Sequence, residues 1–86
     1  MPAQNSKIEE KGFPVVIMKQ LGARIKELRI SKGHSNHEKF AFEHNINRSQ
    51  YWRYEQGEDL KFSTLLKIIK ALDVTLVEFF SEGFDK

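Results

Sequence analysis

The stretch from Phe40 to Gly57 constrains this chain more than any other part of it. Ala41 is small enough to sit where one helix crosses another at close range, between the large Phe40 and Phe42. Four residues on, Asn45 tolerates the left-handed conformation that ends a helix. Asn47 is a good N-cap for the helix that follows. Tyr51 and Tyr54 stand three apart and share one face of that helix, and Gly57 stops it. A small residue, a left-handed residue, a cap and an inward pair at these offsets predict two short helices joined by a tight turn, a helix-turn-helix. The second helix then turns Arg48, Ser49, Gln50, Trp52 and Arg53 outward, a surface with the donors to read a DNA major groove.

The flanking sequence supplies more helices and no confident strand. Leu21, Ile25 and Leu28 recur at helical spacing, with Arg24, Lys26, Arg29 and Lys32 on other faces, which predicts a helix from about Met18 to Ser31 ended at Gly33. Ser35 or Asn36 can cap a second helix running to about His44. Asn47 to Gln56 is the third. Leu65, Leu66, Ile68, Ile69 and Leu72 predict a fourth, strongly apolar helix from about Phe62. Thr75 caps a short fifth that carries Leu76, Phe79 and Phe80. Residues 1–12 are polar without an apolar period and read as a flexible tail. The Phe13–Met18 stretch is β-prone, interrupted by Pro14, and reads as an extended arm or a lead-in that packs on the domain. The expected organisation is a tail or arm over 1–17, one helical domain over 18–82 and a short tail over 83–86. The fold class is all-α, with five helices.

Composition excludes several classes. The 86 residues are 40% hydrophobic, with seven Phe, enough for one small core to which a dimer would add burial. There is no Cys, so neither a disulfide framework nor a thiolate metal site is available. That suits a reducing cytosol, and a cytoplasmic location is expected. No apolar run approaches the roughly 20 residues of a membrane span, and no signal-peptide pattern precedes the Phe13–Met18 stretch. The net charge is +2, but it is unevenly placed. Residues 1–33 carry seven Lys/Arg against three Glu, and residues 34–57 three against three; residues 58–86 carry four against six. The basic part adjoins the helix-turn-helix.

From Leu21 to Phe80 the order of these pieces resembles the Cro/cI-type (XRE, lambda-repressor-like) helix-turn-helix family. The residues that carry the resemblance include the run Leu21 to Arg29, Lys32-Gly33, Ser35, Ala41, Ile46 to Ser49, Arg53 to Gly57, Thr64 to Leu72, Val74 to Leu76 and Phe79-Phe80. The chain departs from the family pattern where His44 takes a slot usually filled by a buried aliphatic. Asn45 stands for the usual Gly, Trp52 is large for its slot, and Glu58-Asp59 is acidic where the family is often basic. The resemblance implies a five-helix lambda-repressor-like fold with the third helix in the major groove. It also implies that outward residues in the slots of Arg48, Ser49 and Arg53 touch bases, and it places Arg29 and Glu55 as a partly buried ion pair between the first and third helices.

Chemistry fits these assignments. An Arg donates two hydrogen bonds to guanine O6 and N7, worth roughly 1–3 kcal/mol of discrimination. Asn47, Gln50 and Gln56 are phosphate candidates, as are Ser35 and Asn36 at the opening of the second helix, because short polar side chains and helix N-termini suit phosphate oxygens. His37 is a minor addition to that set. Phe40, Tyr51, Tyr54 and the Leu65 to Leu72 set are expected in the core, and Trp52 has no assigned place. His34, His37 and His44 lack a third ligand at zinc-like spacing, so no metal or cofactor is expected. No catalytic constellation is visible, and enzyme function is not expected. The expected function is a sequence-specific DNA-binding transcriptional regulator whose partners are double-stranded DNA and a second copy of the chain. The alternative on the same fold is a protein-interaction module, an antitoxin or an adaptor, with a protein partner instead.

Overall fold

The computed structural model describes residues 3–84, with side chains from residue 12 onward. It contains five helices: α1 over Ala3–Ser31, α2 over His37–Glu43, α3 over Arg48–Glu55, α4 over Phe62–Ala71 and α5 over Leu76–Phe80. No strand occurs among the described residues. The helix expected to begin near Met18 begins instead at Ala3 and runs straight through Pro14, so residues 3–17 are neither a structureless tail nor an extended arm. Ala3, Gln4, Lys7, Glu9, Glu10 and Lys11 are strong helix formers. They add to a helix already nucleated by its buried C-terminal half, so they avoid the nucleation cost of an isolated helix. Such an extension can form without an apolar period of its own, which is why the sequence pattern gave no sign of it.

The first four helices end in the same way. Each is followed by a residue at positive φ: Gly33 (91°), Asn45 (58°), Gly57 (101°) and Asp73 (59°). In each case the next N–H reaches back five residues, as in Ile46 N–H to Ala41 O at 2.9 Å and Glu58 N–H to Arg53 O at 3.0 Å. This is the Schellman arrangement, which satisfies carbonyls that the helix leaves open. Asp73 in this role gave no advance signal, since Asp takes the left-handed conformation far less often than Gly.

The core gathers around α1, α3 and α4. Leu21, Ile25 and Leu28 from α1 meet Leu65, Ile68 and Ile69 from α4, with Leu72, Ile46 and Phe79 also buried. Phe40, Ala41 and Tyr51 close the α2–α3 side, where Phe40 and Tyr51 ring centroids lie 5.4 Å apart. Tyr54 is half-buried and packs against this cluster. Leu66 departs from the expected core set at 39% exposed. It falls one residue off the i, i+3, i+4, i+7 stripe formed by 65, 68, 69 and 72 and so faces outward.

Two buried polar groups tie the helices together. Arg29 donates from Nε to Glu55 Oε2 at 2.7 Å and from Nη2 to Glu55 Oε1 at 3.1 Å, a two-pronged pair between α1 and α3. Its Nη1 reaches the His34 carbonyl at 2.6 Å and so fixes the α1–α2 loop as well. The hydrogen bond to Glu55 holds the Arg29 guanidinium above its already high pKa. Tyr51 lies beside this pair, its hydroxyl without a hydrogen-bond partner among the described residues, and burial, then the Glu55 carboxylate, pushes its phenol well above the usual range. Arg24, expected on a face other than that of Leu21, Ile25 and Leu28, is also buried, at 5% exposed. Its Nε donates to Phe79 O at 2.7 Å and its Nη2 to Glu78 O at 2.8 Å, supplying donors to the end of α5.

Candidate nucleic-acid interface

The turn between α2 and α3 fixes everything that follows. Ala41 is wholly buried, which lets α3 approach α2. Asn45 then turns the chain, and its carbonyl accepts from Lys67 Nζ at 2.8 Å. Asn47 opens α3 by accepting from the Gln50 N–H at 3.0 Å and from the Ser49 hydroxyl at 2.8 Å. Asn36 opens α2 in the same way, accepting from the Lys39 N–H at 3.0 Å. Ser35, its rival for the cap, is exposed in the loop before it.

Helical geometry sorts the rest of α3. At about 100° per residue, Arg48, Ser49, Trp52, Arg53 and Gln56 fall within an arc of roughly 140°, with Gln50 off to one side. All six are exposed, whereas Tyr51 and Glu55, which lie beyond the Arg48 edge of that arc, are buried. The side chains of Arg48 and Arg53 have no hydrogen bond or ion pair with any described residue. Both guanidiniums therefore keep every donor available to a ligand.

The outer face of α3 and the first turn of α2 enclose an open groove of about 660 Å³, lined by His37, Glu38, Asn47, Arg48, Ser49, Trp52 and Arg53. Of the base and phosphate candidates, Asn47, Arg48, Ser49 and Arg53 come together there. Ser35 and Asn36 line a neighbouring hollow with Lys39 and Glu43. Gln50 and Gln56 line neither, Gln56 because it caps the far end of α3. The residues that sequence reasoning left without a place in this groove are Trp52 and Glu38. Trp52 had a signal in its outward position on the helix. Glu38 had none, because its approach to α3 depends on how the two helices cross.

His44 shows how the sequence departs from the pattern without loss of packing. It is half-buried and its ring lies tilted against Phe40 at 4.7 Å, while His34 meets the same ring at 5.1 Å and the edge of His44 at 6.4 Å. The described residues hold no cluster of three or more His, Cys, Asp or Glu side chains arranged to ligate a metal.

A helix-turn-helix family model matches residues 25–79, well over half of the chain and the whole of the groove just described. No curated protein and no solved structure matches. The match runs from the last third of α1 into α5 and takes in Arg29, Glu55, both Asn caps and the outward arginines. The chain belongs to the Cro/cI-type helix-turn-helix family, and its domain is of the DNA-binding type.

Proposed function

We propose that this protein is a sequence-specific DNA-binding transcriptional regulator that lays α3 in the major groove. The observation that carries this is the pair of unpartnered guanidiniums, Arg48 and Arg53, on one exposed arc of α3 and in one groove. Arg48, Ser49 and Arg53 read base edges. Asn47, Gln50 and Gln56 contact phosphates around α3, and Ser35 and Asn36 do so at the opening of α2. The protein is a binder rather than an enzyme and works in the cytoplasm. No helix among the described residues is long and apolar enough to cross a membrane.

DNA readers of this size gain affinity and half-site spacing from two-fold pairing, and the protein acts as a homodimer. Support comes from exposed apolar side chains outside the helix-turn-helix, namely Phe13, Val15 and Val16 on α1 and Leu76, Val77 and Phe80 on α5. The C-terminal aromatic group contributes less to this surface than its sequence suggests. Phe79 is buried and Phe84 folds back on the core, leaving Phe80 tilted against Phe84 at 5.1 Å, edge-on to Phe79 at 4.9 Å and 44% exposed.

A salt titration of binding to duplex DNA tests the function. A regulator loses affinity steeply as salt rises, because phosphate contacts release counterions. Arg53→Ala is expected to cost roughly 1–3 kcal/mol and to relax preference at one base position per half-site. Equal binding by the wild type and by the Arg48→Ala, Arg53→Ala double variant, or no salt-dependent binding at all, refutes the reading. The second of those outcomes leaves the exposed apolar surface to a protein partner, an adaptor or antitoxin role.

A further inference from the structure

We infer that Trp52 is a specificity residue that reads the 5-methyl group of thymine. The inference rests on the DNA-binding function proposed above and adds to it a base preference that arginines do not provide. Trp52 is 49% exposed. It lies inside the outward arc of α3, with Arg48 on one side and Ser49 and Arg53 on the other, and it lines the same groove as all three. It does not pack on the core as Tyr54 does, and its indole has no ring contact or hydrogen bond with any described residue.

A large indole held open between two unpaired guanidiniums loses apolar exposure only when something covers it. Where α3 enters a major groove, the one apolar group presented at base edges is the thymine methyl. Its position within the arc, rather than at its rim, directs Trp52 toward base edges instead of the phosphate rails. The guanidiniums beside it take guanine acceptors, so together the face selects a site in which thymine neighbours guanine.

The test uses the intact chain. Bound sites are first selected from a random duplex pool, and each thymine of the preferred site is then replaced in turn by deoxyuridine, which pairs identically but lacks the methyl. Wild type is expected to lose about fourfold in affinity at one thymine per half-site, the transfer free energy of one methyl-sized group expressed as an equilibrium ratio. Trp52→Ala is expected to bind the thymine and uracil duplexes equally, and Trp52→Phe to keep the discrimination. Two outcomes overturn the inference while leaving DNA reading intact. In the first, a selected site is bound but tolerates uracil at every position, and a loss of affinity in Trp52→Phe as large as in Trp52→Ala then assigns the indole N–H to a phosphate. In the second, Trp52→Ala discriminates as wild type does. Failure to select any site is different, since it removes the DNA-binding function itself.

Discussion

Gly22 shows how finely single residues set this structure. A Cβ added there would lie 2.5 Å from the Tyr54 carbonyl oxygen and 2.6 Å from that of Glu55. These are backbone atoms of α3 with nowhere to go, so Gly22→Ala must push α1 and α3 apart. The expected cost is roughly 1–3 kcal/mol, read as a fall of several degrees in the thermal midpoint. An unchanged midpoint would show that the two helices do not approach so closely. Ala41, wholly buried at the α2–α3 crossing, follows the same logic, and Ala41→Leu is expected to lose a similar roughly 1–3 kcal/mol. Arg29 acts by charge rather than size. Removing it leaves the Glu55 carboxylate buried without its partner, a loss on the order of 3–5 kcal/mol. If Arg29→Ala instead kept its midpoint and only lowered the salt slope of DNA binding, Arg29 would belong to the phosphate contacts.

At the scale of elements, α5 is the one that cannot stand alone. Five residues are far below the length at which a helix is stable by itself. It is held by the buried Phe79, by the Thr75 cap and by the two Arg24 bonds to its carbonyls. Arg24→Met keeps the apolar stem and removes the donors, and it is expected to cost roughly 1–3 kcal/mol. Amide exchange would report it locally: α5 amides lose protection while those of α2 and α3 keep theirs. Uniform loss of protection across all helices would mean that Arg24 supports the whole core instead. The caps of α2, α3 and α5 were legible because Asn36, Asn47 and Thr75 each precede a helical run and bond to the third residue after themselves. The N-terminal half of α1 was not legible, since propensity without an apolar stripe looks like tail.

The whole molecule measures 47 × 25 × 20 Å, and the length of α1, 29 residues at about 1.5 Å each, accounts for most of its long axis. That helix carries the exposed Phe13 and Val16 ahead of Leu21, the first buried residue among its described side chains. Val77 on α5 is 81% exposed. Sedimentation is expected to show a dimer of the intact chain at tens of micromolar. Phe13→Ser with Val16→Ser, or Leu76→Ser with Val77→Ser, should release monomer, and whichever pair does so locates the interface. A monomeric intact chain would overturn the dimer and leave DNA to bring two copies together.

By itself the sequence determined the helices from Met18 onward, three of their four stop residues and the inward and outward faces of α3. These are local matters: a cap bonds within its own turn, a left-handed residue follows from one side chain, and a face follows from the helical period. It also determined the outward direction of Arg48 and Arg53, and therefore the kind of ligand they suit. Only the tertiary structure decided what α3 meets. The crossing of α2 and α3 brought Glu38 into the groove of the arginines, and the packing of α5 on α1 gave the Arg24 side chain its carbonyl partners. The backbone of α3 made Gly22 indispensable to α1. In each case the partner lies on another helix or many residues away, and no local pattern encodes how two helices cross. That angle is set by the summed shape of Ala41, Phe40, Tyr51 and the α4 stripe packing at once.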